Sequence, residues 1–349
     1  MRKLTLATSA TANPMGAQRY EREIVDGAEA FLPTGWTIRH EVFRSARSLL
    51  PGTRRVPVRW LESASPSSRR TFGRWAYGRQ PDIVHRFDLA LPPGPGRNVI
   101  TLHDTVAWQY PDESVPIVAA KAELQSADAV ICVSAFTAAD AGARLGIRNA
   151  IVIPNGVDRR FFDAAPLSAS TLTAMGVRAP YALHMGGSSR RKNLEALAGA
   201  WPIISARSPG LSLVLAGPPH PRRTALFGTL DHTSIVGKVD DAHIPGLIAG
   251  AEVVVIPSHY EGFGLPAIEA MAAGTTVVAA DTSALTEVVS GAGILCAPTA
   301  PDLAEAVLEA LSDATATGAL RAVGRQRAAE YSWDRCLASH SLVWQSLSG

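Results

Sequence analysis

The chain has 349 residues, of which 47% are hydrophobic and 18% are charged. This length suits two domains, and this composition argues against a fibre, a small disulfide scaffold and an intrinsically disordered chain. The formal net charge is only +2, and the sequence contains no uninterrupted run of 18 apolar residues of the kind that spans a membrane.

Strand-like and helix-like segments alternate along the whole chain, which is typical of parallel sheets covered by helices. In the first half we predict strands at 3–8, 36–42, 82–87, 98–102, 129–133 and 150–153. Helices are predicted there at 17–31, 68–78, 115–126 and 135–145. The first segment begins like a signal peptide, but its apolar stretch is short and diluted by Thr and Ser, so we interpret it as a β-strand.

The second half repeats this alternation. Strands are predicted near 181–186, 211–216, 233–236, 252–256 and 276–280, and helices at 193–206, 240–249, 265–273, 301–313, 317–330 and 332–347. Short apolar runs, such as LVLAG and the VVVIP that follows Glu252, are typical of strands buried on both faces. Two doubly wound domains follow from this pattern, with a cleft between them and with ligands at the carboxyl ends of the strands.

The three cysteines, Cys132, Cys296 and Cys336, are far apart and form no C-x-x-C pair. They therefore support neither a zinc cage nor a redox motif, and we interpret Cys132 as a buried strand residue. This cysteine usage fits a reducing cytoplasm.

Arginine is concentrated between Arg39 and Arg79, where ten arginines are opposed by only two glutamates, with Trp60, Phe72, Trp75 and Tyr77 among them. Such a segment suits phosphate-rich partners, among them an anionic membrane surface or a phosphate-bearing lipid. An ordinary solvated face remains an equally valid interpretation. The near-neutral whole chain and the lack of a recognisable reader motif argue against nucleic acid.

The most informative segment is Val253–Ala280, in which an apolar strand, a glycine-containing loop and a helix follow one another. The free N–H groups of Phe263, Gly264 and Leu265 are expected to point out of the helix start and to bind anionic oxygens. Glu261 lies in the loop, where it can reach a ligand. Glu269 lies on the helix, where its carboxylate can accept the two hydroxyls of a nucleotide ribose.

The whole string E-G-F-G-L-P-x-x-E-A-M-A-x-G resembles the donor-site signature of the retaining glycosyltransferases of family 4. Further matches to the family follow in its own order, in the segments VITLHDTVAWQYPD, VICVSAFTAADA, VIPNGVD, YALHMGGSSRRKNLEAL and YSWDRC. The resemblance implies an α/β GT-B fold with two Rossmann-like domains that face a cleft. Residues 1–158 would bind the acceptor and residues 159–331 the nucleotide sugar, while 332–349 would form a helix that packs back toward the first domain.

The resemblance also implies roles for residues of the second domain. Lys192, with Arg191 beside it, would hold the donor diphosphate and stabilise the leaving nucleotide. Glu261 would contact donor sugar hydroxyls and the oxocarbenium-like carbon, and Glu269 would hold the ribose. The remaining donor contacts would come from the backbone at Gly262, Phe263, Gly264, Leu265, Gly186 and Gly187.

In the first domain, the resemblance places His103 near the donor sugar and its β-phosphate, with Asp104 orienting the loop. Gly16 would allow close approach to phosphate or acceptor, with Arg19 nearby. Many relatives carry an arginine where this chain has Gly186 or Gly187, and Arg190 or Arg191 would then substitute for it. The first loop, Met15-Gly16-Ala17, also lacks the family's double glycine.

No two aspartates are separated by a single residue, so the D-x-D metal motif of other glycosyltransferases is missing, and no cofactor is expected beyond the nucleotide sugar. The expected activity is transfer of a hexose, with mannose from GDP-mannose as the best candidate, to a cell-envelope, polysaccharide or metabolite acceptor. Two alternatives stay open: a catalytically weak nucleotide-sugar-binding protein and a nucleotide-sugar epimerase. The expected location is cytoplasmic, with possible peripheral contact at the inner face of the membrane.

Overall fold

A computed structural model describes residues 1–12, 16–78 and 81–348, which form two compact units. Unit 1 comprises Met1–Gly156 and Trp333–Gly349, and unit 2 comprises Val157–Ser332. The limits inferred from the sequence, 158 and 331, lie close to these divisions of the chain.

Unit 1 contains a seven-stranded sheet in the order β3-β2-β1-β4-β5-β6-β7, and each pair of neighbouring strands is parallel. The strands are β1 Arg2–Ser9, β2 Trp36–Ser45, β3 Arg54–Val56, β4 Ile83–Arg86, β5 Arg97–Leu102, β6 Ala129–Cys132 and β7 Ala150–Val152. The central strands β4 and β6 are buried along their whole length, and Cys132 is fully buried. The unbroken apolar sequence of β6 predicts this burial, whereas β4 also buries His85 and Arg86.

The helices of unit 1 are α1 Gly16–Phe31, α2 Val58–Ser63, α3 Pro66–Ala76, α4 Ala120–Gln125, α5 Ala135–Leu145 and the last helix of the chain, Trp333–Ser346. The predictions missed β3 and α2, because elements of three and six residues are too short to show a periodic pattern. Helix α4 is also shorter than the predicted 115–126.

The last helix, Trp333–Ser346, packs against α1 within unit 1. The hydroxyl of Ser341 donates a 2.7 Å hydrogen bond to the carbonyl of Phe31. Leu337 lies so close to Gly27 that a Cβ on this glycine would come within 2.3 Å of the leucine Cδ1. The return of the C-terminal helix to the first domain is therefore confirmed.

A chain of buried hydrogen bonds fixes this helix to the sheet. The indole N–H of Trp344 donates to Nδ1 of His85, whose Nε2 lies 2.8 Å from the hydroxyl of Thr101. Thr101 is 3.2 Å from the hydroxyl of Tyr20, which is 2.7 Å from Nε2 of His340. Burial lowers the pKa of His340 to about 4 and also lowers the pKa of His85, so both imidazoles in this series of hydrogen bonds are neutral at pH 7.

Unit 2 contains a six-stranded sheet in the order β10-β9-β8-β11-β12-β13, again with parallel neighbours. The strands are β8 Tyr181–Met185, β9 Ser212–Ala216, β10 Thr233–Gly237, β11 Val253–Ile256, β12 Thr276–Ala280 and β13 Ile294–Cys296. The strand order reverses between β8 and β11, and in open parallel sheets a ligand crevice lies beyond the carboxyl ends of the strands at such a reversal.

Nine helices in the described part of unit 2 flank this sheet. They are α6 Arg159–Phe162, α7 Ala169–Ala174, α8 Leu194–Arg207, α9 Pro221–Phe227, α10 Ile244–Ala249, α11 Leu265–Ala272, α12 Ser283–Val289, α13 Ala300–Ser312 and α14 Ala314–Ala329. Strand β13 and helices α6, α7, α9 and α12 were not predicted, because each is seven residues or shorter. The final helix, Trp333–Ser346, is α15 and belongs to unit 1.

Within the described ranges, no helix is both long enough and apolar enough to cross a bilayer.

Candidate active site

The candidate site of unit 2 is built from two loops that follow β8 and β11, the strands on either side of the reversal in strand order. The first loop carries Arg191 and Lys192 in a short 3-10 turn before α8. The second loop carries Glu261 ahead of α11. Both loops leave the same edge of the sheet, since parallel strands end on one side, and this brings residues some 70 positions apart into contact.

Glu261 is the centre of this cluster and is only 6% exposed. Its Oε1 accepts hydrogen bonds of 2.7 Å from the Lys192 ammonium and of 2.7 Å from the Ser258 hydroxyl. Its Oε2 accepts a 3.0 Å bond from the guanidinium of Arg191. The N–H of Glu261 donates to the hydroxyl of Ser283, so both its backbone and its side chain are held in place.

Electrostatics keep this carboxylate ionised. Burial by itself raises the pKa of Glu261, but the charges of Lys192 and Arg191, with the hydrogen bonds from Lys192 and Ser258, lower it to about 2. The ion pair is therefore fully formed at neutral pH. Two cations share one carboxylate, which leaves this cluster with an excess positive charge.

Helix α11 begins at Leu265, with Gly264 as its N-cap in the left-handed region at φ 102°. Among the residues that the structure describes, the N–H groups of Phe263, Gly264 and Leu265 have no acceptor, as is usual for the open first turn of a helix. The ring of Phe263 is buried and packs edge-on against Tyr331, at a centroid distance of 5.6 Å. Glu269 lies in the second turn of α11 and is 8% exposed.

The glycine-containing loop after β8 lies next to Lys192. A Cβ built on Gly186 would lie 3.8 Å from Cε of Lys192 and 3.8 Å from Nε2 of His184. His184 donates through Nδ1 to the carbonyl of Val255, and its buried Nε2 has no partner in the described part of the chain. Burial lowers the pKa of His184 to about 4, so its ring is neutral at pH 7.

Two arginines that the sequence did not reveal as site residues donate hydrogen bonds to the backbone carbonyls of this loop. Arg223, on α9, is completely buried and donates to the carbonyls of Gly186, Gly187 and Pro218. Its neighbour Arg222 donates to the carbonyl of Ser188 at 2.5 Å. In the sequence, these two arginines are visible only as an Arg-Arg pair at the start of the helix after β9. Only the packing of the helix shows that the pair contacts the loop after β8.

In unit 1, His103 follows the carboxyl end of β5 and its ring packs edge-on against Tyr20, with centroids 4.9 Å apart. Its buried Nε2 has no hydrogen-bond partner among residues 1–12, 16–78 and 81–348. Burial lowers the pKa of His103 to about 4, although the charge of Asp88 partly opposes this. Asp104 accepts a 3.0 Å hydrogen bond from the N–H of Val106, at the start of the next turn.

Gly16 and Arg19 lie in the first turn of α1. Met15 and Arg79, which the sequence analysis mentions with the first loop and the arginine-rich segment, lie outside the described residues. In that described part, no three His, Cys, Asp or Glu side chains come together as a metal would require.

The structure thus brings Lys192, Arg191, Glu261 and Gly186 into one cluster, with Gly187 in the same loop. It places Gly262 to Leu265 at the start of α11, directly after Glu261. It places His103, Asp104, Gly16 and Arg19 in unit 1. The functions assigned to these residues stay predictions.

Two sequence models of known families match this chain. Residues 26–161 match Glycosyltransferase Family 4, and residues 179–313 match Glycosyl transferases group 1. Together the two matches cover most of the chain, which therefore belongs to the glycosyltransferases of family 4 and group 1.

Two curated relatives are mannosyltransferases. The chain is 31% identical over 216 residues to a GDP-mannose-dependent alpha-(1-6)-phosphatidylinositol dimannoside mannosyltransferase of Mycobacterium tuberculosis. The matched segment covers 61% of this chain and 56% of that protein. It is 33% identical over 164 residues to O-antigen chain mannosyltransferase B of Escherichia coli, with 45% and 43% covered. The matched segments span about half the length of these relatives.

Among solved structures, a sucrose-phosphate synthase from Thermosynechococcus elongatus superposes with a TM-score of 0.77 and 23% identity over 98% of both chains. The likeness confirms the GT-B fold predicted from the sequence.

Proposed function

We propose that the protein is a retaining glycosyltransferase that moves a hexose from a nucleotide diphosphate sugar to a hydroxyl acceptor without a metal ion. The observation that carries this proposal is the buried cluster of Lys192, Arg191 and Glu261 beyond the carboxyl ends of β8 and β11. Its excess positive charge suits a diphosphate, and the open amides at the start of α11 add further donors for anionic oxygens.

Charge development explains why cations belong here. Transfer breaks the bond between the anomeric carbon and the phosphate oxygen, so negative charge grows on the leaving diphosphate. Fixed cations aimed at that charge are the strongest available means of lowering the barrier. Lys192 and Arg191 would fill this role, with side chains only 12% exposed and therefore weakly screened by water.

Donor binding exchanges the partners of these cations. Glu261 accepts hydrogen bonds from Lys192 and Arg191, and an incoming diphosphate would compete for the same donors. The carboxylate then has free oxygens for donor sugar hydroxyls and for the positively charged anomeric carbon. Retention follows when the acceptor oxygen attacks from the face that the phosphate leaves and the acceptor proton passes to the leaving phosphate oxygen.

We propose GDP-mannose as the donor, since one relative is named as GDP-mannose-dependent and both are named as mannosyltransferases. Glu269, buried on α11, would hold the ribose hydroxyls. Unit 2 would bind the donor, and unit 1 would bind a sugar, lipid-linked or metabolite acceptor. Within unit 1, the resemblance assigns functions to His103, at the carboxyl end of β5, and to Gly16, at the start of α1.

The test begins with thermal stabilisation by GDP, UDP, ADP and dTDP, each with and without magnesium. A ligand at 100 times its dissociation constant adds about 2.7 kcal/mol to the free energy of unfolding. Stabilisation by one nucleotide without magnesium identifies the base. Absence of stabilisation by every nucleotide contradicts a donor site.

Turnover then separates an enzyme from a binding protein. With the matching nucleotide sugar, Lys192→Ala should lower kcat by orders of magnitude, whereas Lys238→Ala, an exposed lysine of the same unit, should not change it. Lys192→Ala should also lower the thermal midpoint, because it leaves the buried Glu261 with one cation fewer, so turnover is measured well below the midpoint of the variant. Nucleotide binding without any transfer favours the inactive binding protein, and conversion of the free nucleotide sugar into an isomer favours the epimerase.

We further propose that α2 and α3 of unit 1 contact an anionic membrane surface. Trp60 is 44% exposed and Trp75 is 72% exposed, and both rings pack on Phe72, at centroid distances of 5.6 and 5.4 Å. Together with Ser67, Ser68 and Thr71, Trp60 and Phe72 also line a shallow depression. Neighbouring exposed indole rings of this kind are typical of protein surfaces that lie at the water–lipid interface.

Eight arginines of this segment fall into two groups, those with an ion pair and those without. Arg69 is completely buried and joins Arg86 in binding Glu123, while Arg39 and Arg54 pair with Glu41. A second group is exposed and has no ion pair within the described residues: Arg47, Arg55, Arg59, Arg70 and Arg74. This second group supplies the positive charge that complements anionic lipid.

Sedimentation with phosphatidylglycerol vesicles tests this contact. Binding should fade as salt rises and weaken in the double variant Arg70→Gln/Arg74→Gln, but not in Arg97→Gln, whose arginine is paired with Asp128. No sedimentation at low salt, or equal sedimentation with neutral phosphatidylcholine vesicles, contradicts the contact. Preferential binding to a nucleic acid in the same assay would replace the membrane as partner.

A further inference from the structure

Arg223 is a buried cation without a counter-ion. Its side chain is 0% exposed, and it makes no ion pair with any carboxylate in the described ranges. Its guanidinium donates only to the backbone carbonyls of Gly186, Gly187 and Pro218, and its Nε has no partner there. Burying a charge without a counter-ion costs free energy, and a bound anion from another molecule would offset this cost.

The same contacts orient the backbone of the loop after β8. In a trans peptide the C=O and the following N–H point in opposite directions. Arg223 holds the carbonyls of Gly186 and Gly187, and Arg222 holds that of Ser188, so the next N–H group in each case points away from its arginine. These are the N–H groups of Gly187, Ser188 and Ser189.

None of these three N–H groups has an acceptor in the part of the chain that the structure describes. Successive unpaired amides form a concave nest for an anion, and glycine-containing loops of this type bind phosphates. The nest borders the ion-paired cluster, since a Cβ on Gly186 would lie 3.8 Å from the side chain of Lys192.

Close packing beneath the loop depends on Gly217. This residue has a φ of +141°, and a Cβ there would lie 2.1 Å from the carbonyl oxygen of Gly186 and 3.0 Å from Nη2 of Arg223. Any side chain larger than that of glycine at position 217 would therefore displace the carbonyl of Gly186 or the guanidinium of Arg223.

The charges also balance. Lys192 and Arg191 share the single negative charge of Glu261, and Arg223 has no carboxylate, so this group carries two net positive charges. The diphosphate bridge of a nucleotide sugar carries two negative charges. Arg222 adds nothing to the balance, because it forms a bidentate pair with Glu195.

We propose that Arg223 is a positioning residue that orients the N–H groups of Gly187, Ser188 and Ser189 as a diphosphate-binding nest. In this chain the oriented amides and the buried guanidinium together take the place of the loop arginine that many relatives carry. The inference deepens the proposed function and rests on it, since the diphosphate is that of the nucleotide sugar.

Three variants test the inference by calorimetry with a nucleoside diphosphate, its parent nucleoside and inorganic pyrophosphate. Arg223→Gln keeps a neutral donor, and its affinity for the diphosphates should fall about tenfold or more, with nucleoside affinity unchanged. Arg223→Lys keeps the charge and should lose less. Arg325→Gln is the control, because Arg325 also donates to two backbone carbonyls, and it should change nothing.

A second pair of variants keeps the test decisive if Arg223→Gln fails to fold. Gly187→Pro removes one N–H of the nest and should weaken diphosphate binding selectively. Gly210→Ala, in the turn between α8 and β9 where the space is open, is the control and should bind diphosphates normally. In turnover, the same selectivity appears as a raised KM for the donor with a smaller change in kcat.

The outcomes separate this inference from the proposed function. An unchanged ratio of diphosphate to nucleoside affinity in folded Arg223→Gln or Gly187→Pro overturns the nest and leaves the donor site intact. Pyrophosphate binding that depends on Arg223, in a protein that binds no nucleotide, supports the nest and contradicts the proposed function. Binding of neither pyrophosphate nor any nucleotide overturns both.

Discussion

Replacing Glu261 by glutamine removes the charge that Lys192 and Arg191 share and keeps the shape of the side chain. The ion pairs and the Ser258 hydrogen bond outweigh the effect of burial and lower the pKa of Glu261 from 4.5 to about 2. At 1.36 kcal/mol per pKa unit, this corresponds to about 3 kcal/mol of stabilisation at pH 7. We expect Glu261→Gln to lower the free energy of unfolding by that amount.

The sign and the pH range follow from linkage. A carboxyl with a lowered pKa in the folded state contributes its full stabilisation above pH 4.5 and loses it as the pH falls toward 2. The difference between wild type and Glu261→Gln, measured by urea unfolding, should therefore be constant from pH 8 to 5 and shrink below that. Glu195→Gln is the matched control, since its exposed pair with Arg222 contributes at most about 1 kcal/mol.

Ligand affinity should change in the opposite direction. The Glu261→Gln variant should bind a nucleoside diphosphate more tightly than the wild type, because the diphosphate no longer displaces a carboxylate from Lys192 and Arg191. A variant as stable as the wild type at pH 7, or one with weakened diphosphate affinity, would refute the reasoning.

Three further predictions follow from other parts of the molecule. Glu269→Ala should raise the calorimetric Kd for the nucleoside diphosphate about tenfold and leave that for pyrophosphate unchanged; equal losses for both ligands would contradict the ribose contact. Burial lowers the pKa of His340 from 6.5 to about 4, so unfolding becomes easier as the pH falls from 6.5 toward 4, and His340→Gln should reduce this slope by about 1.4 kcal/mol per pH unit in urea titrations. Gly73→Ala should lower the thermal midpoint, because its Cβ would lie 1.9 Å from the carbonyl oxygen of Pro93, whereas Gly318→Ala, with open space around it, should raise the midpoint slightly. A rise for Gly73→Ala would show that α3 moves freely on unit 1.

Local sequence was sufficient for most of the elements and for part of the site. The apolar runs of β8, β9, β11 and β12 are visible because strands buried on both faces need apolar residues at every position. The start of α11 was equally readable, since a glycine N-cap and a proline in the first turn act within a few residues. The basic loop and the two glutamates were found through contiguous motifs.

Contacts between distant parts of the chain were decided only by the tertiary structure. Lys192 and Glu261 are 69 positions apart, and no local pattern indicates that this one carboxylate pairs with two cations. The arginines of unit 1 look alike in sequence, yet Arg69 is buried in an ion-pair triad while Arg70 is exposed, because adjacent helical residues face different directions. Arg223 lies beneath the loop after β8 because β8 and β9 are parallel neighbours that end at the same edge of the sheet. The segments that follow these two strands therefore meet there, although they are remote in sequence.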